Sequence, residues 1–177
     1  MDNIHSIRDA VVGLLPRLRR YALTLASNEF DADDLLQVTI ERALTRSHQF
    51  HYSQNPDRWM FTIMSSVWKN DLRARAIRQG KGFVDPETLS HASFESHPES
   101  NVLYGEVLKM VGRLPEIQRE VVVLVYAEGF KYSEVARILN VPIGTIMSRI
   151  SRARTTLSTQ FGSNDVTGDV TAMEGLR

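Results

Sequence analysis

The stretch "YSEVARILNVPIGTIMSRISRAR", residues 132–154, decides the fold. Two helix-periodic segments flank the short break "NVPI", and the second carries three arginines and no acid. Ser133 is placed to cap a first helix whose buried side is Val135, Ala136, Ile138 and Leu139. Ala136 is small where two helices cross closely. Asn140 falls at the corner, where a sharp turn needs a positive-φ residue and asparagine substitutes best for glycine. Pro142 starts the second helix, with Ile146 and Ile150 facing the first. These offsets are those of a helix-turn-helix. The outward side of the second helix is expected to carry Thr145, Met147, Ser148, Arg149, Ser151, Arg152 and Arg154. An α-helix fits the DNA major groove, arginine pairs with guanine's edge, and serine or threonine serves bases or phosphates. The competing reading is a plain helical hairpin with a solvated basic face. A DNA-binding motif by itself fits a repressor, a response-regulator output domain or part of a transposase.

The rest of the chain narrows this. At 177 residues, with 42% apolar and 24% charged content, it is globular and long enough for one domain or two small ones. There is no cysteine, which excludes disulfides and cysteine-ligated zinc. No run reaches the length of a membrane span, so "VVVLVY" (121–126) reads as buried and no membrane insertion is expected. The start "MDNIHSIRDA" lacks the pattern of a secretion signal, and a cytoplasmic location is expected. The 21 basic and 21 acidic residues cancel, yet they are segregated. Residues 28–41 hold Glu29, Asp31, Asp33, Asp34 and Glu41 with no base. Residues 69–82 hold five bases and one acid. Such blocks are usually solvated helix faces. Two basic blocks and one acidic block together point to one surface for an anion and another for a basic partner.

Along the chain, Ile7, Val11, Leu14, Leu18, Ala22 and Leu25 keep helical spacing. Pro16 is expected to kink that helix or to start a second one there. "SNEFDAD" supplies caps and first-turn acids, Asp31 the better cap, for a helix over about 31–47 with Leu35, Leu36, Thr39, Ile40, Ala43 and Leu44 inward. "HQFHYSQN" breaks the period. Asn55 followed by Pro56 reads as an N-cap with proline in the first turn, opening a helix to about Arg78 with Trp59, Met60, Ile63, Met64 and Val67 inward. Helices at 100–113 and 116–128 precede the opening motif. No strand alternation of useful length is found. The expected fold is all-α: two small helical domains, 1–79 and 100–161, the second a helix-turn-helix, joined by a flexible linker at 80–99 and followed by a disordered tail at 162–177.

Three blocks now occur in order: "LLPRLRRYALTLASNEFDADDLLQVTIERAL" (14–44), "DRWMFTIMSSVWKNDLRAR" (57–75) and "LPEIQREVVVLVYAEGFKYSEVARILNVPIGTIMSRISRAR" (114–154). Together they resemble an extracytoplasmic-function sigma factor of the sigma-70 family, the promoter-recognition subunit of bacterial RNA polymerase, across roughly residues 8–160. The resemblance implies that 1–79 is region 2 and 100–161 region 4. It implies that Asp34, Leu35, Gln37 and Glu41 dock on the clamp helices of the polymerase largest subunit, with the flap as a further contact. It implies that region 2 opens the −10 element. By position, the loop holding Phe50, His51, Tyr52 and Asn55 would take a flipped base, and Trp68, Lys69, Asn70 and Arg73 would contact the −10 strands, with Arg75 and Arg78 as further candidates. Many members carry a basic residue followed by asparagine where this chain reads Ser65-Ser66, which shifts weight onto Trp68 and Lys69. Region 4 would bind the −35 element, with Met147, Ser148, Ser151 and Arg152 nearest the bases and Thr145, Arg149 and Arg154 on phosphates. The family also implies an anti-sigma partner covering the DNA- and polymerase-binding surfaces. A linker of twenty residues reaches at most ~70 Å, at ~3.3–3.6 Å per extended residue, enough for the −10 to −35 distance.

Competing classes are weaker. No phosphate-binding glycine loop, nucleophile elbow or zinc-protease pair is present, so no catalysis and no cofactor are expected. His48 and His51 lack a third ligand nearby, so no metal is expected. A free-standing helix-turn-helix regulator would bind duplex DNA without polymerase. A sigma mimic would not need arginines on its last helix.

Overall fold

The computed structural model describes residues 2–26, 28–50, 55–78 and 110–161, with side chains from Val11 onward and up to Thr159. Every regular element among them is helical: α1 (Asp2–Leu25), α2 (Glu29–Thr45), a 3-10 turn (Ser47–Gln49), α3 (Pro56–Arg78), α4 (Glu116–Val122) running into a π turn (Val123–Ala127), α5 (Tyr132–Leu139) and α6 (Ile143–Phe161). The expected linker (80–99), the first part of the 100–113 helix and the tail lie outside the described residues.

The N-terminal unit is α1, α2 and α3 around a shared core. Val11, Leu14, Leu18, Tyr21, Ala22 and Leu25 line the inner side of α1. The helix runs unbroken through Pro16, so no second helix starts there. Pro16 forfeits one ladder hydrogen bond, and its ring lies on the exposed side of the helix. α2 begins two residues earlier than expected. Its cap is Asn28, whose side chain accepts from the Asp31 N–H at 2.9 Å. Asp31 is therefore not the cap, and pairs instead with Arg75 of α3 at 3.0 Å. Arg19–Asp33 at 3.1 Å ties α2 to α1. Ala32, Leu35, Thr39 and Ala43 form the buried face, while Leu44, expected inward, is exposed. Asn55 caps α3 as expected, accepting from the Asp57 N–H at 2.9 Å. Phe61, Ser65 and Trp68 are buried on α3 besides Met60, Ile63, Met64 and Val67. Two faces of this helix are covered, not one.

The second covered face of α3 meets the C-terminal unit. Leu114, Val121, Leu124 and Phe130 join Val135, Ile138, Leu139, Ile146, Ile150 and Ala153 in a hydrophobic cluster that is continuous with that of α1–α3. Phe130 packs edge-on against Phe61, 5.1 Å between centroids, and Tyr21 lies 5.1 Å from the same ring. The two groups of helices are thus packed on one another along a seam.

The helix-turn-helix forms where the sequence places it. Asn140 has φ 53° and ψ 52°, and the Val141 N–H returns to the Ala136 carbonyl at 3.0 Å. The first helix of the motif starts at Tyr132, with the Glu134 side chain accepting the Lys131 N–H at 3.0 Å. Ser133 is exposed within that helix and is not its cap.

Left-handed backbone costs a Cβ-bearing residue roughly 1–2 kcal/mol, less for asparagine and nothing extra for glycine. Asn140→Ala should lower the urea midpoint by an amount equivalent to about 1 kcal/mol, whereas Asn140→Gly should match or exceed the parent. Equal losses for both would remove the positive φ as the reason for asparagine.

Candidate nucleic-acid and polymerase interface

Four sets of candidate residues have different fates in the fold. On α6, Met147, Ser148, Ser151, Arg152 and Arg154 are exposed and Thr145 is half-buried. Ile143 and Met147, one turn apart, leave 44% and 51% of their surface open at the start of this helix. Arg152 borders a shallow groove with Gln118, Ser151, Thr155, Thr156 and Thr159. Arg154 donates to the Tyr126 hydroxyl at 2.9 Å. Arg149 departs from expectation. It is 93% buried, because it lies on the inward side of α6 rather than the outward one. The outward face therefore reads Ile143, Met147, Ser148, Ser151 and Arg152, with no acid among them.

On α2, Asp34, Gln37 and Glu41 share the exposed side, with Gln37 donating to Glu41 at 3.0 Å. Phe30 and Leu44 extend the same stripe at its two ends, Phe30 with 86% of its surface open. The spacing 30, 34, 37, 41, 44 is that of one helix face. Leu35 is a core residue, 5% exposed, and the exposed stripe does not include it.

In the loop after α2, Phe50 is buried and packs on Trp59, 5.1 Å between centroids. Phe50 is therefore not open to a base in this arrangement. Asn55 is exposed but engaged as the α3 cap. His51 and Tyr52 lie outside the described residues.

The largest difference concerns α3. Asn70 and Arg73 are exposed, but Trp68 is 96% buried and Lys69 half-buried, because both sit in the seam. The Trp68 Nε1–H donates to Glu116 of α4, and the Lys69 ammonium donates to the Leu139 carbonyl at the end of α5, 2.9 Å away. Ser65, one turn before, is 1% exposed and donates to Glu120 at 2.9 Å, while Ser66 faces solvent. Tyr21 of α1 donates to the same Glu120 oxygen at 3.0 Å. Further along, the Glu128 carboxylate, with no side-chain exposure, accepts from Arg17 at 2.9 Å and from Arg20 at 2.9 Å. Arg17 also pairs with Asp57 and lies over the Phe61 ring at 5.6 Å.

The seam is thus a row of glutamates on the C-terminal unit facing a row of donors on the N-terminal one. The π turn aligns it. At about 3.6 residues per turn, Glu128 would fall a third of a turn away from Glu116. The wider turn at Val123–Ala127, closed by the Glu128 N–H to the Val123 carbonyl at 3.0 Å, slows the rotation and returns Glu128 toward the seam. None of Arg17, Arg20, Tyr21, Glu116, Glu120 or Glu128 is singled out by the sequence reading. The signal available is that Glu116 and Glu120 stand four apart, on one helix face, directly before the apolar run 121–125.

Burial sets the ionisation of this row. The Glu116 carboxyl is pushed from 4.5 up to about 7, chiefly because burial penalises its charge. The Trp68 hydrogen bond pulls the other way, the Glu120 charge adds to the rise, and Arg119 and Lys69 oppose it. Burial likewise pushes Lys69 down and, with the Glu120 charge, holds the Tyr21 hydroxyl well above 10, so Tyr21 stays a donor. Among the described residues, no group of three or more histidines, cysteines or carboxylates is placed to hold a metal, and no helix is long and apolar enough to cross a membrane.

Comparison with known proteins places both units. Residues 104–157 match the family described as Sigma-70, region 4, and residues 11–65 match the Sigma2 domain of PhyR. The chain is 36% identical over 155 residues to the ECF RNA polymerase sigma factor EcfG of Rhodopseudomonas palustris, covering 86% of this chain and 83% of that one. Among solved structures it is similar to the sigma factor RpoE of Bartonella quintana, in complex with the anti-sigma factor NepR. That likeness has a TM-score of 0.73 and 28% identity, over 90% of this chain and 99% of the other. The anti-anti-sigma factor PhyR of the same organism shares the fold at a TM-score of 0.52 and 16% identity, over 86% of this chain and 50% of that one.

A carboxyl whose pKa is raised in the packed state binds more protons there than when exposed. The stability it contributes is full below about 4.5 and is lost as pH rises through about 7. Between pH 6 and pH 8 the urea midpoint should therefore fall, and Glu116→Gln should flatten that slope. A parent-like slope in the variant would assign the pH dependence to another group.

Proposed function

The chain belongs to the extracytoplasmic-function sigma factors of the sigma-70 family, and from that premise we propose how its surfaces divide the work of promoter recognition. It is a sigma factor: it binds core RNA polymerase and directs it to −10/−35 promoters. In this reading residues 1–79 act as region 2 and 100–161 as region 4, with 80–99 as the linker. Region 4 reads the −35 element through Met147, Ser148, Ser151 and Arg152, and Arg154 with Thr145 holds the backbone. The observation that carries this is the outward face of α6, which offers one exposed arginine, two serines and two apolar side chains and no acid. Those are the groups that meet base edges and thymine methyls in a major groove. Buried Arg149 supports α6 from behind in this reading.

Region 2 docks on the polymerase clamp helices through the stripe of Asp34, Gln37 and Glu41, with the flap of the polymerase meeting region 4. Acids on an exposed helix face, flanked by apolar ends, suit a basic helical partner. The −10 strand is met by Asn70 and Arg73, and by Trp68 and Lys69 once they leave the seam. An anti-sigma factor restrains the chain, a reading supported by the similar sigma factor solved with NepR. Polymerase does the chemistry, so this chain itself is no enzyme, and it works in the cytoplasm where polymerase is.

A second reading, a sigma-like decoy, is favoured by the match of residues 11–65 to the Sigma2 domain of PhyR. Co-elution with bacterial core polymerase, followed by transcription from a library of promoter fragments, separates the two. Initiation from a shared pair of −10 and −35 sequences is expected of the sigma factor. Absence of initiation despite a folded chain would establish the decoy.

Two substitutions locate the surfaces. Arg152→Ala should weaken discrimination at one −35 base pair by about 1–3 kcal/mol if the contact is bidentate to guanine, read as a changed preference in the same library. Unchanged preference would take Arg152 out of base readout. Asp34→Arg should reduce co-elution with polymerase while leaving the unfolding midpoint intact, and unaltered co-elution would make the acidic stripe a solvated face only.

A further inference from the structure

Ser65, Trp68 and Lys69 belong to the helix that meets the −10 strand in the proposed function, yet each is already bonded. Their partners are Glu120, Glu116 and the Leu139 carbonyl of the helix-turn-helix unit. On α1, Arg17, Arg20 and Tyr21 continue the same row of donors, bonded to Glu128 and Glu120. Hydroxyl, indole N–H, ammonium and guanidinium groups are also the donors that proteins present to nucleic-acid phosphates. The acceptors opposite them are carboxylates carried one helical turn apart on α4, with Glu128 brought into line by the π turn.

We propose that Glu116, Glu120 and Glu128 stand in for the phosphates of the −10 strand. The free chain thereby holds its own region 4 as a competitor on the donor row of region 2.

Three observations support this over a merely cohesive interface. First, the masking is selective. The seam covers Ser65 and Trp68 almost completely and half of Lys69, while Met147, Ser148, Ser151 and Arg152 on α6 stay open. The closed chain thus leaves its −35 face open while it withholds Ser65, Trp68 and Lys69 from a −10 strand and leaves only Asn70 and Arg73 of that set exposed. Second, the position of Ser65 is almost wholly enclosed, at 1% exposure. A serine suits a buried position against Glu120 that it shares with the Tyr21 hydroxyl. Third, the carboxylates are badly suited to a permanent core. Glu116 and Glu120 are like charges one turn apart in a buried setting, and burial raises the Glu116 pKa to about 7. An interface built for stability alone is better served by apolar residues of the same volume. Carboxylates are what an exchange with phosphates requires, since the donors then lose one anion and gain another.

This rests on the sigma-factor reading, and the test separates the two. The probe is a fluorescein-labelled single strand carrying the −10 sequence recovered from the promoter library, titrated into the full chain without polymerase. Glu120→Gln combined with Glu128→Gln is expected to bind that strand at least tenfold more tightly than the parent, by fluorescence anisotropy. Because the chain has no cysteine, Val12→Cys with Ser158→Cys accepts two spin labels uniquely. In the otherwise unsubstituted chain, saturating strand is expected to lengthen and broaden the distance between them. That second measurement stands even if the Gln variants fold poorly. Unchanged affinity in folded Gln variants, or strand binding with an unchanged label distance, would overturn the mimicry. Holoenzyme made from the same preparation is assayed in parallel. Failure to initiate there overturns the sigma-factor reading instead.

Discussion

Glu128 has no water to turn to. Its carboxylate is wholly covered, and an unpaired charge in that position costs several kcal/mol, so the two arginines from α1 are a condition of its burial. The requirement runs in both directions. Arg17 is held over Phe61 and against Asp57 at the start of α3, so the grip on Glu128 also fixes α1 to α3. The edge-on contact of Phe130 with Phe61 sits beside it. From this point the C-terminal helices are oriented on the N-terminal ones, and the positions of Glu120 and Glu116 further along α4 follow.

A seam of this composition is specific without being permanent. Apolar contacts around Phe61, Phe130 and Leu124 favour closure by removing surface from water. The glutamate row adds little net stability, because each carboxylate surrenders hydration for the bonds it gains. What it adds is register: Ser65, Trp68, Lys69, Arg17 and Arg20 have partners only in one alignment. In the proposed function, polymerase supplies the free energy of opening through its own contacts with the two units. The acidic stripe on α2 and the outward face of α6 both lie outside the seam and stay exposed.

Individual features were legible to different depths. The corner at Asn140 and the cap at Asn55 follow from backbone chemistry within a few residues, and both stand where the sequence puts them. The core of α2 was legible in Ala43, Thr39 and Leu35, but the same periodicity drew Leu44 into a core it does not enter, and the resemblance that put Leu35 on a docking surface passed over its burial. Arg149 was misjudged for a related reason. An arginine on a basic helix is ordinarily solvated, and only tertiary packing makes its side of α6 an interior one. The π turn leaves no mark on apolar spacing at all, because Val123, Leu124 and Val125 suit either helix type.

The sequence by itself determined that the chain is helical, that residues 132–154 fold as a helix-turn-helix, and that acidic and basic faces are segregated. These are sums of local preference: propensity, caps, period and charge over windows of a few turns. The tertiary structure alone decided which faces meet. Arg17 and Glu128 are 111 residues apart, and Tyr21 and Glu120 are 99 apart. Nothing in a local window distinguishes a polar side chain bound for solvent from one bound for a seam, since its partner is absent from that window. The use of α3 as a two-sided helix, and with it the covering of Ser65 and Trp68, came from complementarity between distant surfaces.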